Sequence, residues 1–455
     1  VSLPQEFLES IKGITGFRRE TFEQVHQSGE QVTSVRLNPA KTMNEWPSGF
    51  STAAERIPWT RTGYYLDARP SFTFDPLFHA GVYYVQEASS MFLEQAIRQL
   101  CTENHPIKAL DLCAAPGGKS THLQSLLPGN SLLVSNEVIR SRAAVLKDNI
   151  IKWGSANVVV TNNDPEDFAV LESFFDLVVV DAPCSGSGLF RRDPDAIGEW
   201  SLNNVQLCSQ RQQRILADCW PALKEDGLLV YSTCSYSREE DEDIMDWICQ
   251  ELGAENCALT VAPEWGILET ESAGGKKGYR FWPDKVRGEG FFLACFRKTS
   301  REVEVRIKTR KQPDMASRAE KEMTAKWMNI SGKTLIKHLQ TVYAWPDDQF
   351  NEYSFLLEKM RVQYSGVKAG ELMRDKLVPD HALAMSGLVL PSLRRIELPL
   401  EEAIRYLQRK EIRLEGESPG WALACYTGKT LGWLNILPGR VNNYYPKELR
   451  ILRDI

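Results

Sequence analysis

A chain of 455 residues, 43% hydrophobic and 25% charged, has room for two to four packed domains, and no apolar run approaches the roughly 18 to 20 residues of a membrane span. Ten cysteines without a C-x-x-C pair exclude a zinc ribbon and a secreted disulfide scaffold; with no leader pattern, a cytoplasmic protein without a metal site is expected. The formal charge is −6, yet residues 301–455 hold 26 Lys+Arg against 20 Asp+Glu, as a C-terminal part that meets a polyanion would, or as chance composition would.

From 1 to 104 the pattern is mixed. It has an amphipathic opening (Phe7, Ile11, Ile14), the segment 34–39 with Arg36, and an aromatic stretch ending at Tyr83-Tyr84-Val85-Gln86-Glu87. From 105 to 298 strand and helix patterns alternate, which predicts an α/β domain with a doubly wound parallel sheet. Residues 107–121 read as strand, small-residue loop and helix, with Cys113, Ala114, Ala115, Pro116, Gly117, Gly118 and Lys119 forming the loop. Small residues let the backbone approach a ligand, and a helix amino terminus offers unpaired N–H groups. A phosphate loop would need glycine at 113, which is cysteine, and there is no Gly-x-Gly-x-x-Gly, which argues against an NTPase and a dinucleotide and leaves a different nucleoside ligand open.

The next strand ends at Glu137, an acid able to accept from ribose hydroxyls, and a third ends at Asp164, suited to an adenine amino group. Each acid alone reads equally well as a helix cap. Together with Asp181 on the following strand they outline a pocket of the kind S-adenosylmethionine requires. The runs 175–186 and 227–235 are apolar strands that stop at small polar residues, placing Cys184 and Cys234 at the carboxyl edge where α/β sheets hold ligands. Two thiols facing one cleft suggest covalent chemistry.

The basic run Lys298, Arg301, Arg306, Lys308, Arg310 and Lys311 marks a boundary, beyond which short strands and turns predict small mixed or barrel-like units. The expected division is 1–104, 105–298, 299–370 and 371–455. Residues from about 300 onward are expected to position a polyanion and to do no chemistry.

Five ordered blocks carry a resemblance: Gln86-Glu87-Ala88-Ser89-Ser90-Met91, Asp111 to Lys119, Asp181-Ala182-Pro183-Cys184-Ser185-Gly186, Thr233-Cys234-Ser235, and Gly288-Glu289-Gly290-Phe291-Phe292-Leu293-Ala294. The chain resembles the RNA cytosine-C5 methyltransferases of the NOL/NOP2/Sun group. The resemblance implies a Rossmann-like S-adenosylmethionine-dependent methyltransferase fold with an N-terminal RNA-binding extension and C-terminal mixed α/β, PUA-like domains, the latter suggested by 364–385 and 431–450. It also implies methylation of C5 of a specific cytosine in 16S ribosomal RNA, with the RNA, alone or within the small ribosomal subunit, as the partner of a monomer.

Cytosine C5 becomes nucleophilic once a thiolate adds at C6. In the resembled family that thiolate is the Thr-Cys-Ser cysteine, here Cys234, while Cys184 assists release. Asp181 is placed to activate the ring at N3 and N4, and Lys119 either orients it or is an exposed first-turn lysine. Arg36, the 298–311 run and Tyr444-Tyr445-Pro446-Lys447 are candidate RNA contacts. Two positions depart from the family pattern, Asp241 in place of Asn and Asp284 in place of His. An amino-directed enzyme would show Asp/Asn-Pro-Pro-aromatic where this chain has Asp181-Ala182-Pro183-Cys184, and a DNA C5 enzyme would lack the second cysteine motif. A non-catalytic RNA-binding protein would show a lost Cys234 or a damaged loop.

Overall fold

The computed structural model describes residues 3–42, 54–101, 105–300, 312–414 and 416–454. Strand β1 (Thr33–Leu37) lies between β2 (Gly63–Leu66) and β3 (Tyr83–Val85), antiparallel to both. The amphipathic opening forms helices Gln5–Ser10 and Arg19–Gln27, whose Phe7, Leu8 and Phe22 are buried. They pack on Phe190, Trp200, Tyr236 and Trp282 of the catalytic half, so the opening roofs the segment that follows Cys234.

The central sheet has a parallel core: β4 (Lys108–Asp111), β5 (Leu132–Asn136), β6 (Val158–Thr161), β7 (Phe175–Asp181) and β8 (Leu223–Thr233), in the order β8-β7-β4-β5-β6. Their valine-rich runs are covered on both faces; Val178, Val179 and Val180 are at most 1% exposed, as a parallel sheet between helices requires. β9 (Ala254–Cys257), β10 (Leu268–Glu271), β11 (Lys277–Phe281) and β12 (Phe291–Lys298) extend the β8 side in antiparallel fashion. Strand order reverses between β4 and β7. A crevice therefore opens at the carboxyl ends of these two strands, the switch point at which such sheets bind ligands.

The expected boundary at 298 does not isolate this sheet. β13 (Lys333–His338), β14 (Thr341–Pro346), β16 (Val367–Met373) and β17 (Lys376–Pro379) form a second sheet, but β15 (Val362–Ser365) leaves it and pairs with β6. Tyr364 thus belongs to the catalytic sheet rather than to the C-terminal unit in which the sequence placed it. Trp345, Tyr353, Phe355, Leu356 and Met360 enter the same apolar core as Leu110, Val134 and Val178. At roughly 1.5–3 kcal/mol for each large apolar side chain buried, this contact is a substantial part of the catalytic core.

The last sheet, β18 (Arg395–Glu397), β19 (Gly420–Tyr426), β20 (Lys429–Leu437) and β21 (Arg440–Asn443), carries helix Leu400–Leu407. Ala403, Tyr406, Leu407, Leu434 and Tyr445 share one core with Val35, Leu37 and Tyr83 of the N-terminal sheet and with Leu77 beside it. The two ends of the chain are one packed body.

Of the anticipated basic run, Arg301 to Lys311 lie outside the described residues. Lys298 is 1% exposed and its Nζ donates to the carbonyls of Trp220 and Leu223, so it anchors β12 and contacts no external polyanion. Among the described residues no helix is long and apolar enough to cross a membrane, and no group of three or more His, Cys, Asp or Glu side chains could hold a metal ion.

Candidate active site

The cofactor loop leaves β4 at Asp111 and enters helix Gly118–Leu126. Gly117, the residue before the helix, has φ 114°, a left-handed conformation that strains any residue with a side chain. Each turn of the loop is held by a neighbour. Ala114 N donates to the Asn136 carbonyl, Arg142 to the carbonyl of Ala115, and Asn149 to that of Pro116. Ala114 and Ala115 are buried and Pro116 is exposed. Cys113 is enclosed among acids, and burial raises its thiol well above the usual range, so it is a neutral wall of the loop and not a reactive group.

The three acids differ in their surroundings. Glu137 is 3% exposed; its Oε1 accepts from Ile139 N at 2.9 Å, and Oε2 lies 3.5 Å from Arg142. Asp164 caps the helical turn Pro165–Leu171 by accepting from Glu166 N, and pairs with Arg214 at 3.2 Å. Asp181 ends β7, where Oδ2 lies 2.8 Å from Lys119 Nζ and Oδ1 accepts from Ser232 Oγ at 2.8 Å. Lys119 is therefore no exposed first-turn lysine. Its side chain is 11% exposed, its ammonium lies 5.2 Å from the Phe291 ring centroid, and it ties the cofactor helix to the strand that carries Cys184.

The two thiols meet. Cys184 Sγ and Cys234 Sγ are 2.9 Å apart and both cysteines are free. The loops bearing them are fastened together, since Gly188 N donates to the Cys234 carbonyl at 2.8 Å and Tyr236 N donates to Ser187 Oγ at 3.0 Å. The hydrogen bond to Cys234, followed by burial, lifts the Cys184 thiol well above its ordinary range. Either sulfur can be the donor across this contact.

The Gln86 and Gly288 blocks close the same cleft. Glu87 accepts from the backbone N–H groups of Ser89, Ser90 and Glu289, and Arg191 pairs with Glu289 through two bonds of 3.0 and 3.1 Å. Of the departures from the family pattern, Asp241 accepts from Thr233 Oγ1 and forms an ion pair with Arg280 at 3.0 Å, while Asp284 accepts from Thr21 and pairs with Lys285.

Three residues have parts in the site that the sequence reading did not give them. Asp111 is fully buried; Ser120 donates to its Oδ2, whereas its Oδ1 has no hydrogen-bond partner among the described residues. Burial pushes this carboxyl up to about 7. Asn136 joins three strand ends by donating to the carbonyls of Leu112 and Asn163 and accepting from Thr161. Arg36 is no RNA contact: it is 0% exposed, donates to Gln86, the Gly118 carbonyl and Thr121, and so holds the start of the cofactor helix. Within the C-terminal candidate, Tyr445 is 2% exposed and packs on Tyr406, whereas Tyr444 and Lys447 face solvent.

Residues 3–88 match the N-terminal domain of 16S rRNA methyltransferase RsmF, 99–297 match 16S rRNA methyltransferase RsmB/F, and 393–451 match the methyltransferase RsmF PUA domain. Ribosomal RNA small subunit methyltransferase F of Shewanella sp. (strain ANA-3) is 31% identical over 91% of this chain and 90% of its own length. The protein of that name from Aliivibrio salmonicida (strain LFI1238) is 30% identical over the same shares. Among solved structures, a methyltransferase homologue from Pyrococcus horikoshii matches with a TM-score of 0.53 and 28% identity, over 64% of this chain and 93% of that one. NSun6 from Pyrococcus horikoshii with SFG shares the fold, with a TM-score of 0.54 and 19% identity over 66% of this chain and 99% of that one. With its Rossmann-like sheet, cofactor loop and paired thiols, the chain belongs to the ribosomal RNA small subunit methyltransferase F family of S-adenosylmethionine-dependent rRNA methyltransferases.

Proposed function

We propose that the chain methylates C5 of a cytosine in 16S rRNA through a covalent bond between Cys234 and C6 of the base. The observation that carries this reading is the pair of thiols 2.9 Å apart beside the Lys119–Asp181 ion pair. Bound S-adenosylmethionine supplies an electrophilic methyl group. Its fit is argued from Glu137 for ribose hydroxyls, Asp164 for the adenine amino group, the backbone of Cys113 to Lys119, and the unpartnered Asp111 Oδ1, which suits a cationic amino group.

The chain's own residues handle the base. Cys234 sulfur forms a bond to C6, and the C5–C6 π electrons move to C5, which becomes nucleophilic. Once C5 carries the methyl group, its proton passes to a water base, the C5–H electron pair re-forms the C5–C6 double bond, and the C6–S bond breaks with its electron pair returning to Cys234. A proton on Cys184 Sγ, 2.9 Å from that sulfur, stabilises the departing thiolate and so assists release. Asp181, oriented by Lys119 and Ser232, is the group that hydrogen-bonds the ring at N3 and N4. A stacked base hides C6, so the target is unpaired or flipped into the cleft.

The test is incubation with methyl-labelled S-adenosylmethionine and either deproteinised 16S rRNA or isolated small subunits, followed by digestion to nucleosides. Label is expected in 5-methylcytidine, and the better of the two substrates identifies the working form. Label in N4-methylcytidine or in a ribose methyl would overturn the reading.

A further inference from the structure

We propose that Glu240 is a positioning residue for both thiols: its one carboxylate fixes the separation of Cys184 and Cys234 and, by its charge, keeps the proton of the pair on Cys184. This rests on the cysteine reading above and extends it to a residue that touches neither substrate nor cofactor.

Each of the two cysteines is followed by a serine, and both serines turn to the same acid. Ser185 N donates to Glu240 Oε1 at 2.8 Å, Ser185 Oγ to Oε2 at 2.5 Å, and Ser235 Oγ to Oε2 at 2.6 Å. Gln212 Nε2 donates to Oε1 at 3.1 Å and also to the Pro183 carbonyl at 3.0 Å, so residues on both sides of Cys184 are tied to one carboxylate. Glu240 is in turn held by Tyr231 Oη, which donates to its backbone carbonyl at 2.6 Å. The clamp spans the ends of β7 and β8, whose register sets Asp181 opposite Ser232. Displacing the acid by one bond length would displace both cysteines relative to each other.

Burial raises the Glu240 carboxyl above its ordinary value, while the hydrogen bonds it accepts from Ser185, Ser235 and Gln212 act the other way and favour the charged form. Glu240 is 0% exposed, and the donors to its carboxylate, Ser185, Ser235 and Gln212, are all neutral. A buried carboxylate without a counter-ion is costly, and an amide would fill the same space. The ionisable groups around it are Cys184, Cys208, Tyr231 and Asp241, each pushed toward its protonated form, with Cys234 beside Cys184. Anionic charge here opposes a second anion at Cys184. It leaves a thiol donor facing the attacking sulfur.

The experiment uses the full-length protein with Glu240→Gln and Glu240→Asp. Each thiol is alkylated with iodoacetamide across pH and read by peptide mass spectrometry, alongside turnover on rRNA, cofactor affinity and urea midpoint. Glu240→Gln keeps the volume and removes the charge, so the alkylation midpoint of Cys184 should move down by at least one pH unit. Turnover should fall about tenfold, and cofactor affinity should change less than twofold. Glu240→Asp restores the charge without the reach, so the Cys184 midpoint should return while turnover stays low. An unmoved midpoint in Glu240→Gln overturns the proposal. So does a displaced midpoint in Glu240→Asp accompanied by equal losses of cofactor affinity and urea midpoint, which would make the acid a strut only. If the cysteine reading fails instead, wild-type protein yields a product other than 5-methylcytidine while the alkylation shift persists.

Discussion

Lys119 shows what one residue does when a loop and a strand end converge. Its ammonium is shielded by Phe291 and lies 2.8 Å from Asp181, so it fixes the carboxylate proposed to hold the base. A charge-assisted hydrogen bond contributes about 1.5–3 kcal/mol, and Lys119→Met should lower single-turnover methyl transfer about 10- to 100-fold. A loss under threefold would remove Lys119 from the mechanism. Asp111 makes a second, pH-dependent prediction. Its carboxyl is raised by burial to about 7, above its unfolded value, so its contribution to stability is present below about pH 4 and is lost as pH rises through 7. Relative to Asp111→Asn, the cofactor-free wild type should weaken between pH 4.5 and 7.5, with a limiting slope of about 1.4 kcal/mol per pH unit. Urea midpoints measured at both pH values check it, and parallel behaviour of the two proteins would contradict it. At this scale the sequence pointed to residues at strand ends, such as Cys184, Cys234 and Asp181, which the structure places beside one cleft. The parts Arg36 and Glu240 play were hidden because their partners lie elsewhere in the chain: Gly118 and Thr121 for the one, Ser185 and Gln212 for the other.

Elements meet tightly at two glycines near the cysteines. A Cβ on Gly188 would lie 2.5 Å from the Gly290 carbonyl oxygen and 2.7 Å from that of Cys234, and one on Gly290 would lie 2.3 Å from Tyr236. Gly188→Ala should therefore force the cysteine loops apart and abolish turnover while cofactor affinity persists; turnover above a tenth of wild type would contradict this. The parallel strands were legible because valine-rich runs ending in small polar residues are a local pattern, and the helix after Gly118 followed from its loop. β15 was not legible in its setting, since four residues give no sign that they pair with β6 instead of with their neighbours. Its effect reaches the cofactor site: Arg361 N donates to Asn163 Oδ1, Asn162 N donates to the Arg361 carbonyl, and Arg361 pairs with Asp167, all beside Asp164. Tyr353, fully buried and donating to the Ala156 carbonyl, is a test of that coupling. Tyr353→Ala should cost about 3–5 kcal/mol in a single cooperative urea transition, whereas two separate transitions would show the middle unit to be independent.

Across the whole molecule, the N-terminal and C-terminal sheets share a core and the middle unit enters the catalytic core, so these parts are oriented by packing. The charge asymmetry suggested a C-terminal role but not this fixed placement, which depends on one core holding Tyr83 together with Tyr406 and Leu407, over 300 residues away in sequence. A groove in the C-terminal unit is lined by Arg409, Lys410, Arg413, Arg440 and Tyr444. Arg413→Glu with Arg440→Glu should reduce rRNA affinity and flatten its salt dependence by about two phosphate contacts, leaving cofactor affinity unchanged; an unaltered salt slope would place the RNA elsewhere. The central claim, that Cys234 attacks and Cys184 releases, is tested most directly by denaturing gels of Cys234→Ala and Cys184→Ala incubated with rRNA and S-adenosylmethionine. Cys184→Ala should accumulate a protein–RNA complex that survives denaturation and Cys234→Ala should form none; a complex that persists in Cys234→Ala and vanishes in Cys184→Ala would contradict the assignment.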